Sequence, residues 1–63
     1  MSFADLQFEV NSMLTDNPAV SVVAAREQLL PDFPDVRGLS VVKAMVNFYR
    51  KLKLIMVDYK LEI

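Results

Sequence analysis

Two groups of residues here have types and spacings that could do chemistry: the carboxylates Asp32 and Asp35, and the bases Lys43, Arg50, Lys51 and Lys53. A carboxylate pair can share a proton or hold a cation, and bases repeated along a helix can meet phosphates. Asp32 and Asp35 lie among Pro31, Pro34 and Gly38, where acidic side chains ordinarily shape a turn or face water. We expect neither a catalytic nor a metal role from them. The sequence has no His and no Cys, so the common general base, the strongest nucleophile and the usual transition-metal ligands are missing. Gly38 is its one glycine, which excludes a glycine-rich phosphate loop. The expectation is a protein that is no enzyme and carries no cofactor.

The bases make a better case for binding. At about 100° per residue, Lys43, Asn47, Arg50 and Lys51 fall opposite an apolar seam on one helix, and Lys53 follows closely. A small nucleic-acid-binding regulator would use Lys43, Asn47, Arg50, Lys51 and Lys53, with Asn47 and Tyr49 reaching past phosphates toward bases. Two features weigh against it. The isoelectric point is near 5.1, without the basic excess such domains show, and nine residues, 31 to 39, separate the flanking helices where a helix-turn-helix asks for three or four. A membrane-surface helix is weaker still, because the seam is better explained as core.

The segment from Val57 to Ile63 points elsewhere. Val57, Tyr59, Leu61 and Ile63 alternate with Asp58, Lys60 and Glu62, the pattern of a half-buried strand. A strand must pair, and if residues 3 to 14 are helical the chain holds no second strand; the alternatives are that residues 5 to 11 form the partner strand within the monomer or that the tail is helical. The expected contact is therefore the same segment of another copy, or a sheet on another protein, with Val57, Tyr59, Leu61 and Ile63 at the interface. This favours a protein–protein interaction or assembly module, a homodimer or higher oligomer, acting as a small adaptor, inhibitor or structural component.

Three helices must position these groups. Ser2 and Asp5 supply an oxygen acceptor and a carboxylate for the free N–H groups of a helix start. Phe3, Leu6, Val10 and Met13 then recur at helical steps. Residues 5 to 11 also alternate as a strand would, but the cap and the longer stripe agree on helix. Asn17 suits an N-cap and Pro18 a first helical position, giving a second helix from about Pro18 to Leu30 that buries Val22, Ala25 and Leu29 and ends at Pro31. Residues 31 to 39 form an ordered loop pinned by Phe33 and Val36. Ser40 caps a third helix whose seam is Val41, Met45, Phe48, Leu52 and Ile55, with Phe3, Leu6, Val10, Met45, Phe48 and Leu52 in the core. Extending that helix through Tyr59 would create a second apolar stripe, Leu54, Val57 and Leu61. We place its end near Lys53 and a strand from about Ile55. The fold expected is mainly α, three short helices with a C-terminal β-strand pairing between chains; the alternative is an all-α three-helix unit with a long third helix.

Sixty-three residues make one small domain, residues 1 to 63. At 54% hydrophobic with mean hydropathy +0.30, it has the apolar surface to fold. A domain this small without disulfides or metal usually needs association as well. Residues 1 to 32 carry five acids, Asp5, Glu9, Asp16, Glu27 and Asp32, against Arg26 alone, whereas residues 33 to 63 carry six bases against Asp35, Asp58 and Glu62. The halves are thus close to −4 and +3, a polarity suited to self-complementary packing or an anionic partner. No apolar run reaches a membrane span and no signal-peptide pattern opens the sequence, so the expected setting is soluble and cytoplasmic.

Overall fold

The computed structural model describes the backbone of residues 2–61 and side chains as far as Val57. The chain is mainly α: α1 spans Phe3–Asp16, α2 Val22–Leu29 and α3 Gly38–Leu61. Ser2 takes the extended N-cap conformation before α1, although its side chain makes no capping bond. Asp5 sits in the first turn, where a carboxylate meets the positive end of the helix dipole. The helical stripe wins over the alternating one because it buries more: Leu6, Val10 and Leu14 are buried, while Phe8, the extra residue a strand would have shared, faces solvent.

α2 starts four residues later than its sequence suggests. Asn17 does not start α2; it is the C-cap of α1, its Oδ1 accepting from the Ala19 N–H at 3.3 Å and its carbonyl from the Val20 N–H at 3.2 Å, which closes a turn around Pro18. Ser21 is the N-cap, its hydroxyl oxygen accepting from the Ala24 N–H at 3.1 Å. Asn17 and Ser21 are both capping residues, and Asn17 is spent on its own turn first. Ala25 and Leu29 are buried as the spacing predicts, and Val22 is partly so.

The loop from 30 to 37 is ordered by its own backbone and by the core. The Phe33 N–H donates to the Leu29 carbonyl at 2.8 Å and the Val36 N–H to the Phe33 carbonyl at 3.0 Å. Arg26 Nε reaches the Val36 carbonyl at 3.2 Å. Val36 is buried and Phe33 packs against the core.

α3 contains the main correction. It begins at Gly38, two residues before Ser40, with the Val41 N–H donating to the Arg37 carbonyl at 3.2 Å. It then continues through Leu61. The helix end near Lys53 and the strand from Ile55 are not observed; the long third helix is. No strand occurs among the described residues, and Ile63 lies outside them. The physical reason is that nothing after Lys53 stops a helix: there is no Gly, Pro or Asn from residue 48 onward, and propagating an existing helix adds a hydrogen bond for each residue fixed. The alternation beyond Val57 fits a helix equally well, because Val57 and Leu61 are also four apart.

The core gathers Leu6, Val10 and Leu14 from α1, Ala25 and Leu29 from α2, Val20 and Val36 from the connections, and Val41, Ala44 and Met45 from α3. No polar side chain is buried among the described residues, so this core is held by apolar burial alone. Replacing Leu6, which is 0% exposed, with Ala should cost about 2–5 kcal/mol. For a domain with this little core, that loss should leave the variant largely unfolded at 25 °C, read as lost helical circular dichroism.

A candidate interaction surface on the third helix

Contacts between α1 and α3 advance together along both helices. Lys43 Nζ sits 4.8 Å from the centroid of the Phe3 ring. Gln7 Nε2 donates to the Ala44 carbonyl at 2.8 Å and Gln7 Oε1 accepts from Asn47 Nδ2 at 3.1 Å. At the far end the Tyr49 hydroxyl donates to the carbonyl of Pro18, just past the end of α1. Tyr49 also stacks edge-on against Phe48, their ring centroids 5.6 Å apart.

There the coverage stops. Every described side chain from Tyr49 to Val57 is exposed. The stretch from Arg50 to Leu61 is an arm of α3 about 18 Å long at 1.5 Å per residue, and the molecule measures 44 × 22 × 16 Å. The stripe that forms the core through Val41, Met45 and Phe48 runs straight on to Leu52, Ile55 and Met56, with nothing packed against it. Leu52, Leu54, Ile55, Met56 and Val57 are between 44 and 65% exposed. Leu52, expected in the core, is thus on the surface, because α1 and α2 are too short to reach it.

The arm is apolar on two sides. Leu52, Ile55 and Met56 continue the core stripe, while Leu54 and Val57 lie on the far side beside Arg50 and Lys53. Arg50, Lys51 and Lys53 interrupt the apolar surface at one level near the arm's root. A helix apolar on two sides covers both only in an interior or a contact.

The structure divides the residues that the sequence singled out. Val57 is exposed on the arm, and Tyr59 and Leu61 fall on its helical backbone. Of the basic set, Lys43 and Asn47 are engaged with α1, whereas Arg50, Lys51 and Lys53 are exposed on the arm. Asp32 and Asp35 are exposed in the loop, and among the described residues no group of three His, Cys, Asp or Glu could hold a metal ion. Asp32 instead joins Glu9 and Asp16 at the rim of an open cleft of about 280 Å³ between α1 and α2, floored by Met13, Val20 and Leu29. Sequence reasoning missed Leu52, Leu54, Ile55 and Met56 as surface. The signal was present, as the second stripe that a continued helix would have to carry.

No family model matches this chain, and neither the curated proteins nor the solved structures give a match. The reading of this surface therefore rests on its chemistry. Among the described residues, no helix is long and apolar enough to cross a membrane.

Tyr49 marks the root of the arm, and its hydroxyl ties α3 to the turn at Pro18. Tyr49→Phe should lower the unfolding free energy by about 0.5–1.5 kcal/mol, measured by urea denaturation with an unchanged slope.

Proposed function

We propose that this chain is a non-enzymatic protein–protein interaction or assembly module, a homo-oligomer that acts as a small adaptor, inhibitor or structural component through the arm of α3. The observation that supports this most is the continuation of the core stripe past Phe48 into Leu52, Ile55 and Met56, all uncovered. Contiguous exposed apolar surface of this extent marks interaction sites in soluble proteins. The contact expected of Val57, Tyr59 and Leu61 is then made by a helix rather than by an added strand, and Ile63 lies outside the described residues. The cytoplasm belongs to the same proposal as the compartment where such a partner would be met.

A second reading is favoured by the exposure of Arg50, Lys51 and Lys53: a nucleic-acid-binding regulator. It is the weaker one, because Lys43 and Asn47 are tied to α1 and only part of the basic face remains free.

Absolute mass by light scattering separates the two. At roughly 100 μM, a concentration that populates even weak complexes, the first reading predicts a multiple of 7.2 kDa. Leu52→Asp combined with Ile55→Asp should return the mass to that of one chain while the helical signal of the body persists. A native chain that runs as a single copy under these conditions contradicts the homo-oligomer. Replacing Arg50, Lys51 and Lys53 with Gln should leave assembly in place under the first reading and abolish salt-dependent binding to duplex DNA under the second.

A further inference from the structure

We infer that the arm of α3 docks into the cleft between α1 and α2 of a second copy, and that the two copies exchange arms reciprocally. This arrangement rests on the assembly role proposed above and specifies which surface of the partner copy receives the arm.

The argument begins with charge. The arm brings Arg50, Lys51 and Lys53 together with Leu54, Ile55 and Val57, all exposed. The α1/α2 cleft offers the opposite sign: Glu9, Asp16 and Asp32 border it with Ser12, Asn17 and Gln28, and Met13, Val20 and Leu29 supply its smaller apolar part. One chain therefore carries both halves of a complementary pair, and in the folded molecule they lie on different elements.

The same charges disfavour a bilayer surface. A helix lying on a membrane segregates its charges to one face, whereas at 100° per residue Lys51 and Lys53 fall between the two apolar stripes on opposite sides.

Symmetry agrees. An exchange of arms between two identical copies is a closed two-fold arrangement in which each contact is made twice.

Charge reversal tests this without touching the core, since Glu9, Asp16, Arg50 and Lys53 are all exposed. One variant carries Glu9→Lys and Asp16→Lys; the other carries Arg50→Glu and Lys53→Glu. Alone, each should dimerise at least about tenfold more weakly than the native chain, and the native dimer should weaken with added salt. Mixed in equal amounts, they should associate with each other to within a few-fold of native affinity, because one arm-to-cleft contact is then native and the other has both signs reversed, and this also shows that both fold. If neither reversal changes the native association while Leu52→Asp with Ile55→Asp abolishes it, arm-to-cleft docking is overturned and arm-to-arm packing replaces it, with the assembly role intact. If the native chain never associates, or binds vesicles of anionic lipid as a single copy, docking and assembly role both fail.

Discussion

A helix can keep apolar residues on most of its circumference only where something covers them, and that requirement organises this protein. Over α3's first three turns α1 and α2 do the covering, and Val41, Ala44 and Met45 are buried. Beyond Phe48 the two shorter helices have ended and the same stripe continues into water. The mismatch is one of length: α3 has 24 residues, α1 has 14 and α2 has 8. Core, arm and proposed contact are successive sections of a single helix.

The body is small and apolar, and its polar interactions lie at its edges. Gln7 bridges α1 to α3 through the Ala44 carbonyl and Asn47, Tyr49 ties α3 to Pro18, and Arg26 closes the loop onto α2 through Val36. Such bonds fix register more than they add stability, since a net contribution of about 0.5–1.5 kcal/mol each is typical. The fold consequently depends on a handful of fully buried side chains, led by Leu6, Leu14 and Val10. A domain so constituted gains from association, and the arm is where association would contribute most.

Much of the architecture could be read from the sequence because buried residues repeat at helical spacing. Leu6 and Val10 in α1, Ala25 and Leu29 in α2, and Val41 and Met45 in α3 were all visible that way, and Phe33 and Val36 were recognisable as anchors in a Pro-rich loop. Two features were not. The start of α2 turned on which of two good caps, Asn17 or Ser21, was free, and that depended on a turn made by Asn17. The end of α3 was misplaced because a second apolar stripe was taken as evidence against a helix, when it instead belongs to a helix that one body cannot cover. Residues 57 to 61 satisfied both periods, and local pattern alone carries no information about which backbone continues into them. The candidate contact is expected on a strand where the backbone as far as Leu61 is helical, and Leu52 is expected in a core that does not extend so far.

An uncovered arm of about twelve residues is near the length at which helices in water are marginal, so its order should depend on whether another copy is present. Amide hydrogen exchange at a series of protein concentrations measures this directly. If a second copy covers the arm, protection of residues 51 to 61 will rise with concentration far more steeply than that of Leu6, Val10 or Ala25. Protection of the arm that is the same at every concentration, whether high or absent, would contradict the account.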